Sequence, residues 1–174
     1  MDLCLSLSKD GLDSQMLSFL MELPSTEESL KPYWTKINYY FEADVPRVTR
    51  IPDIIVWMDC LMLFSQKAFD VFSPLLNNIG EFLLITINEQ PFYVLNVQTF
   101  GKEDTSATVR EYYEGLEGDL THLSFIDADV KNKLIFKNKQ YNGGILFANE
   151  MFKSLCEKHN FCGLRFDDNL INPF

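Results

Sequence analysis

The chain has 174 residues, of which 47% are apolar, and a formal net charge of −10. This length and apolar content predict one folded domain with a substantial core and exclude an intrinsically disordered chain. The acidic balance argues against nucleic acid or anionic lipid as a direct partner, because attraction to phosphate groups would be reversed, and it favours a basic partner.

The sequence also bears on the cellular compartment. No stretch approaches the roughly 18–20 uninterrupted apolar residues of a membrane span. Residues 1–13 lack the basic region that precedes the apolar part of a secretory signal. We therefore expect a cytoplasmic protein without membrane contact. In that compartment cysteines are reduced and mostly buried; those of this chain are Cys4, Cys60, Cys156 and Cys162.

The N-terminal part predicts two strands separated by a helix. Residues 3–8 alternate leucine with smaller residues, which is typical of a strand with one buried face. Residues 12–23 place apolar side chains at helical spacing, and Asp13 or Ser14 is suited to cap that helix. Residues 33–44 alternate again and predict a second strand.

The middle of the chain is more regular. Apolar runs predict strands at residues 50–57, 61–64, 81–87 and 92–100. The last two form a hairpin around residues 88–91. Ser65 is suited to cap a helix that runs to about Asn78, with Pro74 predicting a kink or a division into two turns. Gly80 is predicted to end this helix in the left-handed conformation.

The remaining third begins with a segment rich in glycine and acidic residues. Residues 101–122 are predicted to be a long loop with at most one helical turn, and residues 123–144 return to a strand pattern. A strand at 145–147, a helix at 151–159 capped by Asn149 and a closing strand at 162–168 follow. Together the elements predict a single α+β domain over residues 1–174, with a mixed, mostly antiparallel sheet and a few helices packed on it.

Two stretches repeat one pattern. In residues 63–87 and again in residues 145–166, an apolar run leads into a helix and a second apolar run follows. Phe69 in the first stretch and Phe152 in the second are placed to return an aromatic ring to the sheet. Neither stretch has a nucleophile beside a base or a glycine-rich phosphate loop, so we interpret both as packing units.

Four short motifs occur in a fixed order: "IPD" at 51–53, "FYVLNVQTF" at 92–100, "LFANEMF" at 146–152 and "GLRF" at 163–166. In their order and spacing, residues 50–168 resemble a family of bacterial immunity proteins, the antidotes encoded beside the toxins of polymorphic, type VI and contact-dependent secretion systems. The resemblance implies a protein that binds and neutralises a cognate toxin and has no catalytic activity. It names no toxin.

The acidic residues concentrate between Glu103 and Asp129, where eight acids accompany one base, Arg110. Tyrosines lie within this segment, and protein interfaces favour aromatic residues. An acidic, tyrosine-bearing surface is suited to a basic cleft such as that of a nuclease. The predicted partner-binding residues are Glu103, Asp104, Glu111, Tyr112, Tyr113, Glu114, Glu117, Asp119, Asp127 and Asp129.

Other functions are also compatible with the sequence. Asp127 and Asp129, which would face the same way on a strand, could form with His122 the site of a small hydrolase. A regulatory scaffold is a further alternative. Independently of these functions, Trp34, if exposed, could be an interface anchor. For the immunity function, the chain could fill the active site of the toxin or bind elsewhere on it, and nothing in the sequence forbids a homodimer.

Cysteine and histidine spacing raises one metal hypothesis. Cys156, His159 and Cys162 form a C-x2-H-x2-C cluster, but a zinc site usually has four ligands and no fourth is suitably spaced. We therefore expect neither a metal nor a cofactor.

Overall fold

A computed structural model describes residues 4–7, 27–34, 38–42, 50–57, 60–139 and 144–171, with the main chain alone described at residues 4–7, 33, 40–42 and 117. The helix predicted at 12–23 lies outside these ranges.

The described part contains one large sheet, two small ones and three α-helices. The strands are β1 Cys4–Leu7, β2 Asn38–Glu42, β3 Ile54–Trp57, β4 Leu61–Ser65, β5 Gly80–Ile87, β6 Gln90–Val97, β7 Val109–Tyr113, β8 Leu116–His122, β9 Ile135–Lys137 and β10 Leu146–Ala148. The helices are α1 Gln66–Leu76, α2 Asp127–Val130 and α3 Glu150–Lys158, and a 3-10 turn covers Lys31–Tyr33. Six strands form the large sheet in the order β1-β2-β5-β6-β4-β3. The β2–β5 pair is parallel and the other pairs are antiparallel. The predicted α+β fold with a mixed, mostly antiparallel sheet is confirmed.

The large sheet is apolar on both faces, because its central strands carry apolar residues without alternation. Leu61 and Leu63 of β4 join one core cluster, whereas Met62 and Phe64 of the same strand join the other. Helices α1 and α3 contribute side chains to the second cluster. Within the described residues, Leu30 and the half-buried Trp34 pack against the first.

A buried carboxylate fastens the segment 27–34 to the sheet. Glu81 of β5 is 7% exposed, and its carboxylate accepts hydrogen bonds from the Ser29 hydroxyl at 2.7 Å and from the Leu30 N–H. The side-chain amide of Asn96 donates to the same carboxylate at 3.0 Å. Buried polar groups are stable when their hydrogen bonds are satisfied in this way.

Helix α1 begins as predicted. The Ser65 hydroxyl accepts a hydrogen bond from the Ala68 N–H at 3.3 Å, which satisfies one of the free donors of the first turn. The division of the helix into two turns at Pro74 is wrong, since a single helix continues through it to Leu76. Pro74 is exposed and lies in the last turn, so the helix loses one hydrogen bond only near its end.

Gly80 does not end α1 in the left-handed conformation, and that prediction is wrong. It is the first residue of β5, where a Cβ would lie 2.1 Å from the main-chain oxygen of Asn96 on β6. Close approach of two strands therefore explains this glycine. The β5–β6 hairpin itself is confirmed, with a two-residue turn in which Asn88 and Glu89 have φ of 47° and 65°.

The second strand–helix unit faces the first across one core. Asn149 caps α3 as predicted, accepting from the Phe152 N–H at 3.0 Å. The ring of Phe152 lies 4.7 Å from that of Phe72 on α1, measured between centroids. Phe152 is thus buried as the repeated pattern indicates, whereas in the first unit Phe72 is fully buried and Phe69 half-buried.

The closing strand predicted at 162–168 is wrong. The Ile54 N–H donates to the Cys162 carbonyl at 3.1 Å, but residues 162–168 do not continue as a strand. Gly163 follows with φ of 112°, and a Cβ there would lie 2.0 Å from the Ile54 carbonyl oxygen. This left-handed residue turns the chain away from β3 after one contact.

A third apolar cluster supports the region of the candidate site. Leu123, Phe136 and Phe147 are its buried members, and Phe125 packs edge-on against both phenylalanines at 4.9 and 5.0 Å. The β9–β10 pair supplies Phe136 and Phe147, which lie opposite each other in register. The cluster fixes the chain immediately after β8.

Candidate partner-binding surface

Residues 109–122 form a hairpin, so the loop predicted for 101–122 is wrong over most of its length. Strands β7 and β8 pair with each other and with no other described strand. Their turn consists of Glu114 and Gly115, with φ of 53° and 84°. Two consecutive positive φ angles match the twist of paired strands, which is why glycine is favoured in such turns. Aromatic and β-branched residues around Glu-Gly were the sequence signal that could have identified this acidic hairpin.

The end of the acidic hairpin exposes apolar side chains. Tyr113 and Leu116 lie opposite each other beside the turn and are 62% and 74% exposed. Tyr112 on the other face of β7 is 65% exposed. Isolated exposed apolar residues are common, but large adjacent ones among charges are typical of a contact surface.

The ring of Tyr113 lies across the neighbouring strand. A Cβ at Gly118 would be 2.8 Å from the tyrosine ring, so glycine leaves the space in which that ring lies. The Tyr113 hydroxyl donates a hydrogen bond to the Glu111 carboxylate. This bond, with smaller contributions from desolvation and the charge of Asp119, raises the pKa of Tyr113. The side chain is therefore held in place while its other surface faces solvent.

Two of the predicted partner-binding acids instead hold the base of the acidic hairpin. The Glu103 carboxylate pairs with the Arg110 guanidinium at 2.7 Å, and both side chains are almost buried, at 12% and 13% exposed. The Asp104 carboxylate accepts from the Ser106 hydroxyl and N–H at 2.6 and 3.0 Å. Both bonds lower the pKa of Asp104, and the bond from the hydroxyl has the larger effect. Because Arg110 is paired internally, it does not offset the exposed acids.

Asp127 and Asp129 lie on α2, so the prediction that they share one face of a strand is wrong. Residues two apart on a helix point about 200° apart. The Asp129 carboxylate accepts from the Lys133 ammonium at 2.7 Å and from the Lys102 N–H at 2.8 Å. The lysine hydrogen bond is the main cause that lowers the pKa of Asp129. Asp127 is exposed in the first turn of the helix.

The other residues singled out in the sequence lie away from the turn of the acidic hairpin. His122 is exposed at the end of β8, opposite Val109. His159 stacks on Phe161 with ring centroids 5.4 Å apart, and the Cys162 thiol donates to the Asp53 carboxylate at 3.3 Å. The Trp34 indole N–H donates to the Leu84 carbonyl at 3.0 Å.

Burial of Cys156 raises its pKa to about 11. Within the described residues, no group of three histidine, cysteine or acidic side chains is arranged to hold a metal ion.

The structure thus brings together five of the ten predicted partner-binding side chains on one projection: Glu111, Tyr112, Tyr113, Glu114 and Asp119. At Glu117 the main chain alone is described, on β8 opposite Tyr112. Glu103, Asp104 and Asp129 make internal contacts, and Asp127 is exposed on α2. The three exposed carboxylates can attract a basic protein at a distance. The two tyrosines can then bury apolar area against it.

No protein-family model matches the chain, and no curated protein matches it significantly. Of the helices in the part that the structure describes, none combines the length and the apolar character needed to cross a bilayer.

Proposed function

We propose that this chain is an immunity protein that binds and neutralises a secreted bacterial toxin with a basic surface, such as a nuclease. The observation that carries the proposal is the acidic hairpin, which exposes Tyr112, Tyr113 and Leu116 beside three exposed carboxylates. The short motifs in residues 50–168 resemble those of immunity proteins, and this resemblance indicates that the partner is a toxin.

The chemistry of a nuclease cleft supports this pairing. Nucleases bind phosphates with lysine and arginine, and an acidic projection would be attracted to the same side chains. Tyrosines carry much of the binding energy of protein interfaces because they bury large area with few rotatable bonds. The hairpin would then attract the toxin electrostatically and anchor it through the tyrosines and Leu116.

The experiment is rescue of toxin-expressing cells, with affinity measured on the purified proteins. The toxin is sought in the gene neighbouring this one. In the test variant, Glu111, Glu114 and Asp119 are replaced by lysine. The matched control carries the same charge change elsewhere, at Glu89, Glu157 and Asp168, which are also exposed. We expect the test variant to lose rescue and on the order of a hundredfold in affinity at low salt, with a smaller loss at high salt.

A second pair of variants tests the apolar part of the surface. Tyr112→Ala and Tyr113→Ala should each lower affinity by at least about tenfold without loss of folding, because both side chains are more than half exposed. If the hairpin fills the active site, an oligonucleotide should compete with it. Full rescue by both sets of hairpin variants, or an equal loss in the control, would show that the hairpin is not the interface.

A further inference from the structure

A groove near the base of the acidic hairpin is lined by lysines, although the chain as a whole is acidic. It lies where the segment after β6 runs beside β9, and it encloses about 560 Å³. Small-molecule sites usually measure roughly 300–1,000 Å³. The lining includes Phe100, Lys102, Lys133 and Lys139.

Main-chain hydrogen bonds fix the wall of the groove. The Lys137 N–H donates to the Thr99 carbonyl at 2.9 Å, and the Gly101 N–H donates to the Lys137 carbonyl at 2.8 Å. A Cβ at Gly101 would lie 2.5 Å from the ring of Phe136, so glycine permits this close approach. The groove therefore rests on the third apolar cluster.

An aromatic ring holds two ammonium groups at this wall. The Nζ atoms of Lys137 and Lys139 lie 5.1 and 5.3 Å from the centroid of the Phe100 ring, within the range of a cation–π contact. Lys137 is 1% exposed, and this burial lowers its pKa. Lys139 is exposed, so its ammonium is accessible from the groove.

Among the described residues that line the groove, lysines outnumber acids by three to two. Lys133 pairs with Asp129 at 2.7 Å, and Glu103 pairs with the arginine of β7. Apart from these pairs, the charged residues that line the described groove are Lys102, Lys139 and Glu27. Lys102 and Lys139 are exposed, and neither forms an ion pair with another described residue.

We propose that this groove binds a small oxyanion, a metabolite that carries a phosphate or carboxylate group, through Lys102 and Lys139. Lysine ammonium groups donate charge-assisted hydrogen bonds to both kinds of anion. The side chain of Gln98 also lines the groove and offers a neutral donor. A long polyanion would extend beyond the lysines into acidic surroundings, which would repel it. A compact anion is therefore the favoured ligand. This site does not depend on the partner of the acidic hairpin.

Titration of the full chain with sodium phosphate, sodium pyrophosphate and sodium citrate, followed by amide NMR and calorimetry, tests this site. Sodium chloride at matched ionic strength measures the general effect of salt. We expect saturable shifts at the amides of Gly101, Lys102 and Lys139. The anion that binds most tightly distinguishes a phosphate ligand from a carboxylate ligand.

Lysine variants make the test specific. Lys102→Gln and Lys139→Gln should each weaken binding on the order of tenfold, and the double variant more. The matched control, Lys153→Gln with Lys158→Gln on α3, should bind as the unmodified chain does. Shifts no larger than those in sodium chloride, or equal binding by the double variant and the control, would overturn the proposal.

Discussion

Phe152 joins helix α3 to the core shared with α1, and its replacement by alanine tests how strongly the two helices depend on each other. The side chain is 1% exposed, and its ring lies 4.7 Å from that of Phe72. Replacement of a buried phenylalanine by alanine costs about 3–5 kcal/mol. We expect a loss of about 4 kcal/mol for Phe152→Ala, since the site is enclosed by two helices and the sheet.

Urea unfolding followed by circular dichroism measures this loss. With an m value of about 2 kcal/mol/M, a loss of about 4 kcal/mol lowers the unfolding midpoint by about 2 M. Met151→Ala is the control, because Met151 is the preceding residue of the same helix and 57% exposed. It should change stability by less than about 1 kcal/mol.

A double-mutant cycle with leucine isolates the contact between the two rings. Phe72→Leu and Phe152→Leu retain most of the apolar volume, so the double variant should remain folded. Aromatic pairs contribute about 0.5–1.5 kcal/mol beyond their buried area, and a coupling of that size is expected. A loss below about 1 kcal/mol for Phe152→Ala, equal to that of the Met151 control, would refute the packing of α3 described above.

Further predictions concern pH, thiol chemistry and strand packing. The pKa of Asp129 is lowered in the folded state, so its contribution to stability is present at neutral pH and is lost as the pH falls through that lowered value. Asp129→Asn should therefore lower the melting temperature at pH 7, with a difference that disappears in acid, whereas Asp127→Asn should have little effect at either pH. Iodoacetamide at pH 8, in a chain with Cys4 replaced by serine, should label the exposed Cys162 well before Cys156, as peptide mass spectrometry would show; the raised pKa of Cys156 lowers its thiolate fraction roughly a hundredfold. Gly80→Ala should cost at least about 2 kcal/mol in the same urea assay, because the added carbon would lie 2.1 Å from a main-chain oxygen of the paired strand; an unchanged midpoint would contradict this.

The main disagreement between sequence and structure concerns the acidic hairpin. The charges of residues 101–122 suggested a loop, because a strand is normally recognised by an apolar face that packs on a core. This hairpin pairs with no other described strand and most of its residues are exposed, so no apolar face marks it as a strand. The turn could nevertheless have been recognised from the residues that form it, because Glu114 and Gly115 have successive positive φ angles and such turns favour glycine.

Local features of the molecule were determined by the sequence alone. The apolar runs placed β3 to β6, and the caps at Ser65 and Asn149 started α1 and α3, because a strand pattern and a cap each depend on neighbouring residues. The net charge followed from composition.

The tertiary structure alone decided which polar groups face solvent and which face each other. Glu81 accepts a hydrogen bond from the N–H of Leu30, which is 51 positions away in the sequence. Asp53 accepts one from the thiol of Cys162, which is 109 positions away. Such pairings depend on how the strands are ordered in space, so they have no periodic signal in the chain. Glu103 was predicted to bind a partner, but the folded chain pairs it with Arg110 and leaves the acids of the hairpin exposed.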